Sequence, residues 1–318
     1  RDRRGGGPAG LGAARVPGCG MNGTYLLQQL VNGLAIGSLY ALLAVGLSMV
    51  YGILRLINFA HGELMMVAAM ASATFLAGLR VWPPLLLVGG MLLGGVLGVV
   101  VERVAYSRLR QASEVNLLVT SLAVSTFLAT GALMLWSGQP RRFERVEVLS
   151  RLYEVGGVFV RGADIAILAM AVVSMALLTW LTSRTRLGVA MRAVAEDLRV
   201  AYLMGIDPSR PILLAFFLGS MLAGAAGVLW GWKFGQVAPT MGFVPMLKAF
   251  VAAVIGGIGS IPGAFLGGIV LGLAEVFFVG LLPATYSGYR DVFVFALLFL
   301  MLLVRPTGIL GVSLARKA

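Results

Sequence analysis

Residues 27–54 read LQQLVNGLAIGSLYALLAVGLSMVYGIL, a stretch without one charged side chain. An α-helix needs about 20 predominantly apolar residues to cross the hydrocarbon core of a bilayer, and this stretch is long enough to do so. Further apolar stretches follow between groups of charged residues, at 61–79, 84–106, 116–138, 163–183, 211–232 and 291–304. The sequence therefore predicts an all-α, polytopic integral membrane protein.

The composition agrees with this class. Of 318 residues, 59% are hydrophobic and 12% are charged, whereas soluble domains average roughly 45–50% and 25%. We attribute the net charge of +12 to Lys and Arg in cytoplasmic loops, and not to a nucleic-acid partner. The single cysteine, Cys19, and the single histidine, His61, exclude a disulfide framework and a metal site that needs several thiols or imidazoles.

The apolar region 247–283 is too long for one straight span. The residues GGIGSIPG at 256–263 interrupt it, because clustered glycines and a proline break a helix. The region holds either two short crossings or a half-helix followed by one full crossing. We therefore expect eight or nine transmembrane helices, with a glycine-broken helix near 256–263.

Clusters of arginine orient the predicted bundle. One follows the third span, at 103–110, and a second follows the fifth span, at 184–210. Both face the cytoplasm by the positive-inside rule, so the loop 139–162 lies outside. The basic tail at 305–317 predicts a cytoplasmic C-terminus. An even number of crossings must then follow Arg210, which favours two short crossings within 247–283.

Small residues recur at the spacing that lets helix backbones approach closely in lipid. Pairs of glycines four residues apart begin at Gly33, Gly90, Gly94, Gly227, Gly263 and Gly268. We favour packing between helices of the same chain over a dimerisation surface.

Residues 1–20, RDRRGGGPAGLGAARVPGCG, differ from the rest of the chain because they are rich in Gly, Arg and Pro and carry no long apolar stretch. We interpret them as a disordered or non-native extension that precedes a start at Met21. Residues 21–318 then form a single transmembrane domain.

A few polar residues interrupt the apolar sequence. They are Asn58, His61 and Glu63 in LINFAHGE, and Glu275 between Ala249 and Tyr289. Ionisable groups at membrane depth are costly, so they tend to line a pathway or to pair internally. We take these four residues, together with the broken segment at Gly256, Gly257 and Gly259, as candidates for a translocation path. For Glu275 we favour a structural pair over a role in the pathway, and for His61 a satisfied interfacial histidine over a ligand. Asn58 and Glu63 could equally cap the helix that begins near His61.

The loop 184–210 reads as an amphipathic helix across Leu187–Met204. Its apolar positions are Leu187, Met191, Val194, Leu198 and Ala201, at spacings of three and four. Arg192 and Glu196 stand four residues apart on the polar side. Gly205 is placed as the C-terminal cap, before Asp207-Pro208. The segment either lies on the membrane surface or docks its polar side on a partner.

Motifs for chemistry are missing from the sequence. No Gly-x-x-x-x-Gly-Lys-[Ser/Thr] occurs, since the only lysines are Lys233, Lys248 and Lys317, and the chain cannot bind ATP through a P-loop. It also contains no His-Glu-x-x-His and no Gly-x-Ser-x-Gly. We predict no catalytic residues, metal or cofactor.

Four separated motifs, in this order, resemble one family. They are NGLAIGSLYALLAVGLSMVYGILRLINFAHGE at Asn32–Glu63, RTRLGVAMRAVAEDLRVAYLMGID at Arg184–Asp207, VIGGIGSIPGAFLGGIVLGLAE at Val254–Glu275 and YRDVFVFALLFLMLLVRPTGILG at Tyr289–Gly311. Together they are similar to permeases of the branched-chain amino acid ABC transporters, of the LivH type. The resemblance extends from about Met21 to Gly311.

The resemblance implies an importer permease in the bacterial inner membrane. It implies a second, LivM-like permease subunit, two ATP-binding subunits and a periplasmic binding protein that delivers an amino acid. The segment 184–210 would couple the permease to the ATPases, with Arg192, Glu196, Asp197, Arg199 and Gly205 as candidates. Gly205 matches the glycine of the family's EAA---G loop, but Arg199 stands where a Glu is expected. The alternative is a self-sufficient secondary transporter or channel for small polar solutes.

Overall fold

The structure is a computed structural model that describes residues 23–76, 82–110, 112–143, 146–305 and 307–311. The extension predicted at 1–20 lies outside these residues. The helices are α1 Gly23–Leu54, α2 Ala60–Ala71, α3 Pro83–Val101, α4 Glu114–Trp136, α5 Glu147–Ser150, α6 Gly162–Arg184, α7 Arg186–Glu196, α8 Leu198–Leu203, α9 Ser209–Phe234, α10 Phe243–Gly256, α11 Ile261–Leu281 and α12 Arg290–Val304. One π-helical turn, Ser72–Leu76, extends α2, and another, Glu102–Tyr106, extends α3. A 3-10 helix, Ala284–Tyr289, precedes α12.

The predicted all-α, polytopic membrane fold is confirmed. Six helices are long and apolar enough to cross a membrane: α1, α3 with its π-helical end, α4, α6, α9 and α11. Three shorter helices, α2, α10 and α12, have 12, 14 and 15 residues and pack among the long ones. With the short helices counted, the bundle has nine helices within the described residues, of which six are long enough to cross a membrane, so the eight or nine crossings stay a prediction.

Helix α1 lies at the centre, where 89% of the residues in its most apolar stretch are buried. Its glycines let α11 approach closely. A Cβ on Gly37 would lie 2.9 Å from the Gly268 carbonyl oxygen, and a Cβ on Gly33 would lie 3.0 Å from the Leu273 Cα. Residue numbers rise on α1 as they fall on α11, so the two helices are antiparallel.

Helix α9 is the second central helix, and α3 packs against it in the antiparallel direction. A Cβ on Gly94 would lie 3.0 Å from the Gly224 Cα, and one on Gly98 would lie 2.9 Å from the Phe216 carbonyl oxygen. On another face of α9, Gly227 contacts the Met65 backbone of α2. The small-residue spacing therefore serves packing within the chain, as we favoured from the sequence.

The predicted break falls between α10 and α11. Gly257 and Gly259 both have positive φ, +107° and +87°, and Ser260 accepts a hydrogen bond from the Gly263 amide to start α11. Helix α10 has 14 residues, about 21 Å at the usual rise, whereas α11 has 21 residues, about 31 Å. The lengths therefore match a half-helix followed by one full crossing. The two short crossings that the charges favoured are wrong, although the number of helices after Arg210 is even.

The two arginine-rich loops lie at the same end of the bundle. The Arg110 guanidinium, after α3, donates to the Ser209 hydroxyl at the start of α9, over 3.0 Å. Gly311 packs against Gly257 at this end as well. The described residues of the segment 137–161 lie at the opposite end, with two short antiparallel strand pairs: β1 Arg141–Arg142 with β4 Gln236–Val237, and β2 Leu152–Val155 with β3 Val158–Arg161. By the positive-inside rule we expect the arginine-rich end to face the cytoplasm, and the two ends are named cytoplasmic and outer accordingly.

Candidate functional site

Helices α2 and α10 both begin inside the bundle, and their first turns meet. Gly62 in the first turn of α2 contacts the carbonyl oxygen of Gly242, the residue before α10, and the Met246 side chain. The His61 ring lies against Gly46, about 12 Å along α1 from its cytoplasmic end. The chain after α1 therefore turns back into the bundle before α2 starts. Two helix N-termini, whose first N–H groups have no partner within the helix, are buried together.

Asn58 organises the start of α2. Its side chain is 1% exposed, and its Oδ1 accepts hydrogen bonds from the Ala60 amide, over 3.1 Å, and the Tyr106 hydroxyl, over 3.0 Å. The His61 amide donates to the Asn58 carbonyl, over 3.1 Å. Asn58 thus holds the beginning of the helix, which is one of the two roles that the sequence left open. Tyr106 is a partner that the sequence analysis missed, because it lies 48 residues away at the end of α3.

His61 and Glu63 complete a buried polar cluster with Asn58. The His61 ring has a hydrogen-bond partner in the backbone of Leu43 on α1. The Glu63 carboxylate faces Gly242 and is a hydrogen-bond partner of Ser125 on α4, but its Oε2 has no hydrogen bond with a described residue. Buried polar groups normally find a partner, so this Glu63 oxygen is available to water or a ligand.

The glycines of the break lie elsewhere. Gly256 packs directly on Gly263, and Gly257 on the backbone of Leu310 and Gly311. The amide of Leu310 donates to the Gly256 carbonyl over 2.9 Å. Gly259 lies beside Gly52, near the cytoplasmic end of α1. The structure therefore places these glycines in a tight backbone contact, separate from the cluster of Asn58, His61 and Glu63.

Glu275 occupies a third place, in a network of charges between α10, α11 and α12. Lys248 Nζ lies 2.9 Å from Glu275 Oε1 and 2.8 Å from Asp291 Oδ1. Arg290 donates through Nε to the same Glu275 oxygen. Lys248 also lies 5.8 Å from the centre of the Tyr40 ring. Neither Lys248 nor Arg290 is among the site residues predicted from the sequence, although they are the charged residues that flank the uncharged sequence around Glu275.

The cytoplasmic segment 184–210 is not one continuous helix. It breaks at Asp197, where φ is −157° and ψ is 117°, and Asp197 caps α8 by accepting from the amides of Arg199 and Val200. Asp197 therefore has a structural role at this point. Arg192 donates to the Thr182 carbonyl, so it is fastened to the end of α6.

The predicted apolar face of this segment is largely correct. Met191, Val194 and Ala201 are buried and Leu198 is half-buried, but Leu187 is 51% exposed. Leu187, in the first turn of α7, therefore does not pack against the bundle as the other four positions do. Glu196 is exposed at the end of α7.

Gly205 caps α8 as predicted. Its φ is +81°, and the Ile206 amide donates to the Ala201 carbonyl over 3.0 Å, as in a left-handed helix cap. Before this cap, α8 ends in apolar side chains without cover: Tyr202 is 70% exposed, Leu203 82% and Met204 76%. We call these three residues the α8 tip. The α8 tip is not among the residues predicted from the sequence, because that prediction concerned the polar side of the helix.

A cavity of about 220 Å³ lies between this segment and the bundle. Its walls include Arg55, Tyr106, Arg110, Glu196 and Asp197. Tyr106 is thus shared between this cytoplasmic cavity and the buried cluster around Asn58. Arg110 pairs with the buried Glu102 and reaches Ser209 of α9.

Comparisons with known proteins place the chain among permeases. The family described as branched-chain amino acid transport system / permease component matches residues 29–302. The high-affinity branched-chain amino acid transport system permease protein BraD of Pseudomonas aeruginosa is 41% identical over 298 residues, which cover 90% of this chain and 96% of BraD. The corresponding protein LivH of Escherichia coli strain K12 is 40% identical over 303 residues, with the same two shares. A solved ABC transporter of the metal-chelate type, in an inward-facing conformation, is 15% identical to this chain. The match covers 88% of this chain and 87% of the chain of that transporter. Its TM-score of 0.48 does not establish a shared fold.

Proposed function

The chain belongs to the family of branched-chain amino acid transport permeases, and we propose from this premise that it forms a translocation path for branched-chain or related amino acids. It is a permease subunit of an ABC transporter, a multi-pass protein of the inner membrane, and not itself an enzyme. The match over residues 29–302 carries this function. It favours an importer permease over a self-sufficient secondary transporter or channel.

We propose the partners from the same premise. Two ATP-binding subunits hydrolyse ATP, because the chain contains no P-loop motif. A periplasmic binding protein delivers the amino acid to the outer end, and a second, LivM-like permease subunit completes the path. Residues 21–318 act as one permease domain, with 184–210 as its cytoplasmic coupling segment.

The buried starts of α2 and α10 support a path through this part of the bundle. Lipid cannot satisfy the free N–H groups of a helix N-terminus, so such groups must face protein or a water-filled cavity. The Glu63 oxygen without a hydrogen bond to a described residue lies at the same place, next to the buried His61. We propose that Asn58, His61 and Glu63 border the path. We propose that Gly256, Gly257 and Gly259 act at the other end of α10, where Gly256 packs on Gly263 of α11 and the chain turns from one helix to the next.

The coupling segment is supported by its position and by its exposed side chains. It lies at the cytoplasmic end, and its tip presents apolar side chains that a monomer would normally cover. We propose that the α8 tip, with Arg199 beside it, inserts into a groove of an ATP-binding subunit. Asp197 and Gly205 shape this tip, while Arg192 fastens the segment to α6.

Reconstitution tests the function. Proteoliposomes that contain this chain, the second permease subunit, both ATP-binding subunits and the liganded binding protein should accumulate radiolabelled leucine when ATP is inside. Omitting the ATP-binding subunits should abolish uptake, because nothing else in the assembly supplies energy. Concentrative leucine uptake by this chain alone, under a proton or sodium gradient, would contradict the importer and support the secondary transporter.

A further inference from the structure

A cavity of about 390 Å³ opens in the outer half of the bundle, beside the beginnings of α10 and α12. This volume is within the range of about 300–1,000 Å³ that is typical of sites for small molecules. The cavity has apolar lining residues, namely Trp230 of α9, Met241, and Val244 and Pro245 of α10. It is separate from the cavity beneath the coupling segment, with which it shares no lining residue.

The lining of the same cavity also includes charged residues of both signs. They are Lys248, Arg290 and Asp291, and Tyr40 lines the cavity as well. The Lys248 side chain is 6% exposed, whereas that of Arg290 is 42% exposed and that of Asp291 is 57% exposed. One cationic and one anionic group, adjacent in the chain, are therefore accessible in a cavity that also has apolar lining residues.

Glu275 is the counter-ion of Lys248 and Arg290, although it does not line the cavity itself. Its side chain is 1% exposed, and one of its oxygens binds both Lys248 and Arg290. The four ionised groups sum to zero charge. A ligand with one net charge would leave an uncompensated charge beside the buried Lys248 and Glu275, which is costly because these two groups are poorly solvated. A zwitterion would not.

We propose that this cavity is a binding site for the zwitterionic form of an α-amino acid with an apolar side chain. Asp291 accepts hydrogen bonds from the ammonium group, Arg290 and Lys248 bind the carboxylate, and the wall formed by Trp230 and Val244 receives the side chain. Charge-assisted hydrogen bonds of this kind are the strong ones in proteins. The proposal rests on the proposed function, because it names where the permeated amino acid is held.

The pairing of Lys248 explains how a ligand can enter. Lys248 bridges Glu275 and Asp291, so when Asp291 turns to a ligand ammonium group, Lys248 keeps Glu275 as its counter-ion. No buried cation is left unpaired by the exchange. Glu275 is accordingly a positioning residue, and Asp291 is the residue that is free to exchange partners.

Protection of an introduced cysteine tests the site. In the assembled complex, with Cys19→Ser as background, Val244→Cys lies on the cavity wall and Val155→Cys lies on the outer hairpin of β2 and β3, away from the cavity. Leucine should protect Val244→Cys, and not Val155→Cys, from a membrane-impermeant thiol reagent. Neither 4-methylpentanoate, which lacks the ammonium group, nor 3-methylbutylamine, which lacks the carboxylate, should protect at the same concentration. Asp291→Asn should raise the leucine concentration needed for half-protection about tenfold or more, and Asp291→Glu should restore part of the protection.

Three outcomes distinguish the possibilities. Equal protection by leucine and by both analogues would overturn the proposal, because the cavity would then not recognise a zwitterion. Absence of protection by leucine, in a complex that still imports leucine with ATP, would overturn the site and leave the proposed function standing; the charged network would then be structural. A complex that binds leucine at Val244 but shows no ATP-dependent uptake would contradict the proposed function and not the site.

Discussion

Tyr106 and Tyr25 each donate one hydrogen bond through the hydroxyl, but at places with different consequences. Tyr25, near the outer end of α1, donates to the Gly280 carbonyl of α11. Tyr106, near the cytoplasmic end, donates to Asn58 Oδ1, which also holds the start of α2. The first hydrogen bond joins two helices, whereas the second also positions the buried polar cluster. A comparison of substitutions at the two tyrosines therefore distinguishes an effect on stability from an effect on transport.

We expect Tyr25→Phe and Tyr106→Phe both to lower the stability of the folded permease, by about 0.5–1.5 kcal/mol for each hydrogen bond lost. The loss should be larger for Tyr106→Phe, because Tyr106 pairs with Ser121 as well as with Asn58. Only Tyr106→Phe should also lower the rate of ATP-driven leucine uptake, because the start of α2 then loses one of its restraints. Thermal unfolding in detergent and uptake by the reconstituted complex measure the two effects. Equal uptake by both variants would show that the start of α2 does not border the path.

At the scale of the element, α8 shows how a short helix is shaped by its two ends. Asp197 begins it by accepting two amides, and Gly205 ends it with a φ of +81°. A Cβ on Gly205 would meet no atom within 4 Å. A substitution there therefore changes the backbone preference alone, with no steric collision. The cost of a left-handed conformation for an ordinary residue is roughly 1–2 kcal/mol.

We expect Gly205→Val to insert and assemble normally, while leucine uptake falls and the stimulation of ATP hydrolysis by the liganded binding protein is lost or becomes unregulated. The reason is that a β-branched residue fits the left-handed cap poorly, so the α8 tip moves. Gly131→Val on α4 is the matched control, since its Cβ also meets no atom within 4 Å and its backbone is helical. That control should transport normally.

A second substitution on the same element tests the α8 tip itself. Leu203→Asp leaves the cap intact and places a charge where we expect an apolar contact with an ATP-binding subunit, so it should weaken assembly of the complex as measured by co-purification. Gly205→Asn should retain more leucine uptake than Gly205→Val, because Asn tolerates the left-handed conformation. Coupled transport at the normal rate in both Gly205→Val and Leu203→Asp would reduce 184–210 to an interfacial helix without a coupling role.

At the scale of the whole molecule, the arrangement of the ends defines a direction across the membrane. The arginine-rich loops gather at one end, with the C-terminal residues 307–311, and the hairpin of β2 and β3 lies at the other. The outer cavity, the proposed path and the proposed coupling segment follow one another in this order along that direction. This order is the one that we expect if the amino acid is delivered at the outer end and ATP-driven motion acts at the other.

Single cysteines in a Cys19→Ser background test the orientation. We expect Val155→Cys, which is 68% exposed on the outer hairpin, to react with an impermeant thiol reagent in spheroplasts. Arg108→Cys, exposed after α3, should react only after the membrane is opened, because the positive-inside rule places it in the cytoplasm. The reverse labelling pattern would invert the bundle and place the α8 tip outside, where no ATP-binding subunit could reach it.

The sequence by itself determined the class of fold, the break near 256–263 and the cap at Gly205, and it predicts the orientation. These features depend on local properties: the length of apolar stretches, the helix-breaking effect of glycine and proline, and the excess of arginine in certain loops. It also determined the family, because four ordered motifs carried the resemblance. Local signals of this kind can be read from the sequence because they do not depend on how the helices pack.

Only the tertiary structure decided which polar residues meet. His61 and Glu63 lie with Tyr106 and Ser125, whereas Glu275 lies with Lys248, Arg290 and Asp291, far from the glycines that the sequence grouped with it. These partners depend on the rotation, the tilt and the starting depth of each helix. Those quantities are set by close glycine contacts such as that of Gly37 with Gly268, and a contact between residues more than 200 positions apart leaves no local pattern in the sequence.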